Sequence, residues 1–111
     1  MELKGTIASS HKMVISGIAH NFKENPLNFI EGHILIAEQT YPDMISFIKK
    51  AKAIVAETGG ILSHAAIVSR ELDIPCIVGV KDLIKNIHSG DKITLDLNKG
   101  VEKKRTNNTF S

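Results

Sequence analysis

A second cysteine is missing from this chain of 111 residues, so no internal disulfide can form, and the lone Cys76 is compatible with a reducing compartment. Also missing are a charged-then-apolar leader and any apolar run long enough to span a bilayer; the sequence-based expectation is a soluble, cytoplasmic protein. A large charge excess is absent too. The net +2 is too small to imply a nucleic-acid partner, and Lys99, Lys103, Lys104 and Arg105 read as a solvated basic end rather than a binding patch. His11, His20, His33 and His88 show no pair at metal-ligand spacing and no acidic partner motif, so each reads as a surface or strand histidine, and no metal site is expected. No glycine-rich loop ending in Lys-Ser/Thr is present, which excludes a Walker-type nucleotide site. Internal repeats are absent. The length leaves room for one domain with one core, expected over residues 1–105, with 106–111 as a frayed tail.

What remains patterns as a compact α/β unit. Leu3, Gly5 and Ile7 alternate with polar residues, and Val14 to Ile18 follows, predicting two early strands. Residues 21–28, polar and carrying Pro26, read as a loop. His33 to Ala37 is a buried strand. Pro42 and Asp43 suit the first turn of a helix whose Met44, Phe47, Ile48 and Ala51 form one apolar stripe. Ala53 to Ala56 is a short strand. A second helix runs from Ser63 to about Leu72, with Ala65, Val68 and Leu72 toward the core, and Asp73-Ile74-Pro75 stops it. Cys76 to Val80 is a strand, and Cys76 within it reads as a small buried hydrophobe. Lys81 to Ile87 forms a short helix. Ser89-Gly90-Asp91 turns into a strand over Ile93 to Leu97, and Asn98-Lys99-Gly100 is a further turn.

The segment Thr58-Gly59-Gly60-Ile61-Leu62-Ser63-His64-Ala65-Ala66 concentrates the chemistry. The two glycines let the backbone turn sharply, and Ser63 is a good N-cap. His64 then falls in the first helical turn, where unpaired N–H groups and the positive end of the dipole favour an anion. A helix start behind a glycine loop is a phosphate seat, and a neutral imidazole in that seat is a nucleophile aimed at phosphorus. Ser63 is no hydrolase nucleophile, because the Gly-x-Ser-x-Gly elbow is absent; its expected work is capping, with a hydroxyl free to touch a phosphoryl group. Arg70 lies six residues past His64, about 240° around an ideal helix, and so off the histidine's face. On residue types alone, a capped helix with a surface histidine is the plainer reading.

Residues 58–79 resemble the phosphohistidine motif of the phosphoenolpyruvate-utilising enzymes, carried on their swivelling mobile domain. Gly59, Gly60, Ser63, His64, Ala65, Ala66, Arg70, Glu71, Ile74, Pro75 and Gly79 fit the pattern, and Gly32 to Ala37 with Pro42-Asp43 resemble the segment before it. The resemblance covers roughly residues 30–97. It implies a single swivelling β/β/α domain in which His64 carries a phosphoryl group. Gly59, Gly60, Ser63 and Arg70 would support that group, Arg70 by phosphate or partner contact or, alternatively, a salt bridge. It also implies an ATP-grasp nucleotide-binding domain and a barrel binding pyruvate or phosphoenolpyruvate, on separate chains or domains, with Mg²⁺ there and no cofactor in this chain. Such a carrier would not turn over alone.

Two departures stand out. Leu62 replaces the regulatory threonine of the dikinases, which excludes regulation by phosphorylation at that place, and Ser9-Ser10-His11 replaces a Ser-Pro-Gly turn. Three function classes stay open: a phosphocarrier of synthase or dikinase type; an enzyme I-like component of the sugar system, for whose helical subdomain no segment is present; and a non-catalytic interaction module of the same fold. Met1 and the coherent pattern suggest a free-standing protein.

Overall fold

The computed structural model describes residues 2–9, 14–97 and 100–103. In chain order the elements are β1 (Glu2–Leu3), β2 (Thr6–Ser9), β3 (Val14–Asn21), β4 (Ile34–Ala37), α1 (Ile45–Lys50), β5 (Ala53–Ala56), α2 (His64–Leu72), β6 (Cys76–Val78), α3 (Leu83–Asn86), β7 (Lys92–Asp96) and β8 (Gly100–Lys103). Pro42 opens a one-turn 3-10 helix, Pro42–Met44, that leads straight into α1. The apolar stripe expected there holds: Met44, Ile48 and Ala51 are buried, with Phe47 half-buried.

β4 and β5 are unbroken apolar runs, and all of their residues are buried. Such runs suit parallel strands covered on both faces. β3, β4, β5 and β6 pair in parallel, with Ile36 opposite Val55 and Val55 opposite Ile77. β3 joins two halves: Val14 to Ile18 pair antiparallel with β7, and Ala19 to Asn21 pair parallel with β4. The result is one eight-stranded sheet of order β1-β8-β7-β3-β4-β5-β6-β2.

β1 and β2 end that order on opposite sides, yet only Lys4 and Gly5 separate them in the chain. The sheet must therefore curl until its edges lie within about 11 Å, three Cα–Cα steps. Gly5 permits the close approach at this corner, because a Cβ there would lie 2.5 Å from Val80 Cγ2 and 2.6 Å from the Val78 oxygen.

Alternation along the strands divides the core in two. Ile34, Ile36, Val55, Ile77, Leu95 and Val101 pack inside the curl, joined by Leu83 and Ile87 around α3. Leu35, Ile54, Ala56, Cys76 and Val78 face the other way, against Met44 and Ile48 of the α1 region and Ala65 and Ala66 of α2. Each fully buried Leu or Ile contributes about 1.5–3 kcal/mol. The small alanines of α2 let its backbone lie close on the sheet.

The expected compact α/β unit is present, with corrections. The N-terminal segment holds three strands rather than two, because Gly5 breaks the first alternation into β1 and β2. The strand expected over Cys76 to Val80 closes at Val78, where Gly79 turns with φ +68°. Gly100–Lys103, read as a turn and solvated basic end, is strand β8. It pairs with both β7 and β1, Val101 is buried, and Lys103 Nζ lies 3.1 Å from Asp91. Pairing on both sides stabilises a stretch with too little apolar alternation to announce itself. The turn residues Asn98 and Lys99, the basic Lys104 and Arg105, the tail 106–111, and Ser10 and His11 of the altered turn all lie outside the described residues.

Candidate functional site

The site forms where β4 and β5 run side by side and end together. Glu57 N–H donates to Ala37 O and Thr58 N–H to Glu38 O, each at 2.9 Å, so the parallel ladder continues past both strands. Gly59 then turns the chain with φ +104°, and a Cβ there would sit 2.8 Å from Ser63 Cβ. Only glycine meets both conditions. Gly60 differs. Its backbone is not left-handed, and nothing lies within 4 Å of where a Cβ would be. The expectation that both glycines make the turn is thus corrected: Gly59 makes it, and Gly60 leaves open space beside it.

Ser63 caps α2 with extended φ −72°, ψ 162° and accepts the Ala66 N–H at 3.4 Å. Its hydroxyl donates to Gly60 O at 2.8 Å. That proton is committed to the loop, which corrects the expectation of a hydroxyl free for a phosphoryl group. Arg70 reaches back from the far end of α2. Its Nη2 donates to Ile61 O at 2.7 Å and its Nη1 to Ala8 O at 3.2 Å, clamping the loop to β2.

His64 is the first residue of α2 and half-buried. Its Nδ1 lies 2.8 Å from Oγ1 of the buried Thr40, and among the described residues no hydrogen bond occupies Nε2. Around His64 a concavity of about 240 Å³ is lined by Gln39, Thr40, Thr58, Gly59, Ser63 and Ala65. Neither a cation nor a carboxylate is among them. Of the first-turn donors, Ser63 N–H bonds Gly60 O, Ala66 N–H bonds the Ser63 hydroxyl and Ile67 N–H bonds Ser63 O. The N–H groups of His64 and Ala65 are left without acceptors among the described residues, at the positive end of a nine-residue helix. The structure thus brings His64, Gly59, Gly60 and Ser63 together and places the Arg70 guanidinium on backbone carbonyls behind the loop.

Thr40 was not picked out by sequence reasoning. It lies 24 residues from His64, and a lone threonine in a turn carries no motif. The available signal was positional: it sits just past the carboxyl end of a parallel strand, where ligand sites gather in open α/β sheets.

Two other histidines, His20 and His88, have other work. His20 is buried, packs on Phe29 at a ring separation of 4.8 Å, and donates from Nε2 to Asn25 O at 2.8 Å. His88 lies 2.5 Å from the Glu24 carboxylate. Burial pushes the Cys76 thiol up to about 11, so it stays a protonated core group. Among the described residues no group of three or more His, Cys, Asp or Glu could hold a metal ion, and no helix is long and apolar enough to cross a membrane.

A curled parallel-antiparallel sheet that presents a histidine at a helix start defines a small mixed α/β domain. The sequence relationship then names it: residues 29–100 match the family described as PEP-utilising enzyme, mobile domain, and the chain belongs to that family. The phosphoenolpyruvate synthase of Pyrococcus furiosus is 51% identical over 71 residues, covering 64% of this chain and 9% of that protein. The chain thus spans about a tenth of the length of the curated relatives it matches. The solution structure of an Enzyme I protein superposes with a TM-score of 0.60 at 28% identity, covering 77% of this chain and 36% of that one. Aconitase X of Thermococcus kodakaraensis, in its holo-form, shares the fold alone, with a TM-score of 0.67 at 19% identity, over 95% of this chain and 99% of that one.

Proposed function

We propose that this chain is a phosphocarrier, taking a phosphoryl group on His64 at one protein site and releasing it at another. The observation that carries the reading is the Thr40–His64 pair at the start of α2. In the tautomer whose Nδ1–H donates to Thr40 Oγ1, the lone pair of the neutral ring lies on Nε2, which no hydrogen bond occupies among the described residues. That lone pair attacks phosphorus, the bond from phosphorus to the donor oxygen breaks, and that oxygen leaves with the electron pair. The proton on Nδ1 stays in place. The ring then carries positive charge beside the phosphoryl group, which readies it to leave at the next transfer.

The unbonded N–H groups of His64 and Ala65 suit the anion, and Arg70 holds the loop that presents them. With no Lys or Arg lining the concavity, the counter-charge for the transition state is supplied by the protein that docks. By relationship to phosphoenolpyruvate synthases, the donor is ATP or phosphoenolpyruvate with Mg²⁺. It is held on an ATP-grasp domain or a pyruvate/phosphoenolpyruvate-binding barrel outside this chain. Among the described residues no group of three or more His, Cys, Asp or Glu could hold a metal ion, and Mg²⁺ would be held with the donor.

The test is chemical. The protein is treated with phosphoramidate, a small phosphoryl donor, and its intact mass and acid lability are read. One acid-labile phosphoryl group, absent in His64→Ala, supports the reading. An acid-stable adduct, or one that survives His64→Ala, overturns it.

A further inference from the structure

Nine large hydrophobic residues are exposed among those described, and five of them, Tyr41, Ile45, Ile61, Leu62 and Ile67, lie on the two segments that meet at the Thr40–His64 bond. Leu62 is 81% exposed, Ile61 57% and Tyr41 51%. Residues 58–67 contain no Asp, Glu, Lys or Arg. An exposed apolar loop without charge, leading into a polar centre, has the composition of an interface core rather than of ordinary surface.

None of this exposure serves the fold. Ile61 and Leu62 belong to neither buried cluster, and the loop is held by polar bonds: Ser63 Oγ to Gly60 O and Arg70 Nη2 to Ile61 O. Those bonds fix the backbone on either side of Leu62, so its side chain is presented outward on a preorganised support.

We infer that Leu62, with Ile61, is the apolar anchor by which a phosphoryl-donor protein docks over His64, its binding face combining an apolar socket with cations. The occupant follows from the site. Leu62 stands two residues before His64, on the loop that leads into α2. The concavity lacks the positive charge that a phosphoryl group in transfer needs, so the covering surface brings it. Burying Leu62 and Ile61 also excludes water, which would otherwise compete with the next acceptor for the phosphoryl group. The inference rests on the phosphocarrier reading and adds to it the determinant of donor choice.

The test separates docking from chemistry with two donors. Phosphoramidate reports the reactivity of His64 without docking. The protein donor is the Pyrococcus furiosus phosphoenolpyruvate synthase, with the histidine aligned to His64 replaced, supplied with ATP and Mg²⁺. In Leu62→Ser the phosphoramidate rate is expected to stay within about twofold of wild type, while KM for this chain with the enzyme donor rises about tenfold, as for loss of an interface anchor. The double change Ile61→Ser, Leu62→Ser raises it further. An unchanged KM overturns the inference, as does a parallel loss with phosphoramidate, which would mean that Leu62 acts through the loop. Wild-type protein labelled by phosphoramidate and not by the enzyme likewise overturns it. Labelling by neither donor overturns the phosphocarrier reading itself.

Discussion

Inside the curled sheet, Ile36, Val55, Ile77 and Leu95 meet from four different strands with no solvent contact. At the carboxyl ends of the parallel strands among them, the loop from Thr58 to Ser63 leaves Leu62 81% and Ile61 57% exposed. The first region is held by apolar burial, which is collective and tolerant of chemistry but not of lost volume. The second is held by one left-handed glycine, one capping serine and one arginine, each making a specific polar or steric contact. The contrast shows which residues the fold buries and which it leaves exposed.

Changes in the two regions test that contrast. Leu95→Ala is expected to cost about 2–5 kcal/mol of unfolding free energy, read by urea titration, because a cavity opens inside the sheet. Leu62→Ala is expected to cost less than about 0.5 kcal/mol, as for a surface change. Equal costs would mean that the loop belongs to the core. The two glycines give a sharper, smaller contrast. Gly59→Ala forces a side chain into the left-handed region and against Ser63, at about 1–3 kcal/mol. Gly60→Ala meets open space and should stay within about 0.5 kcal/mol. A loss at Gly60 matching that at Gly59 would break the distinction.

The smallest effect expected lies away from both regions. The Ser89 N–H, and then His88, hold the Glu24 carboxyl below its ordinary value of 4.5. A group whose folded value is depressed contributes stability above its unfolded value and loses it as pH falls through the folded one. Glu24→Gln should therefore flatten part of the acid limb of stability below about pH 4.5, modestly, since the pair is exposed. Identical acid limbs in urea midpoints against pH would show that the clasp between Glu24 and Ser89 does not contribute.

Much of this was legible in the sequence, for physical reasons that differ by element. β4 and β5 announce themselves because strands buried on both faces must be apolar throughout. α2 is legible because a serine cap and the break at Pro75 bracket it. β8 is not, because its pairing with β1 joins segments nearly a hundred residues apart. The curl of the sheet is likewise hidden, since it depends on how close Gly5 comes to Val78 and Val80. At the site, His64 stood out through its loop. Thr40 did not, because the parallel register of β4 against β5 brings it there and no local pattern records that. The commitment of the Ser63 hydroxyl to Gly60 was hidden for the same reason: a side chain's hydrogen-bond partner is set by the turn's three-dimensional shape.

The most direct test is which ring nitrogen takes the phosphoryl group. Protein phosphorylated with phosphoramidate is compared as wild type and Thr40→Val by phosphorus and nitrogen NMR of the His64 ring. The account predicts phosphorylation of wild type on Nε2 alone, with Nδ1 still protonated. In Thr40→Val the rate should fall by about tenfold or more, as when the partner orienting a functional histidine is lost. Phosphorylation on Nδ1, or an unchanged rate and nitrogen in Thr40→Val, would contradict the assignment of His64 as a nucleophile set by Thr40.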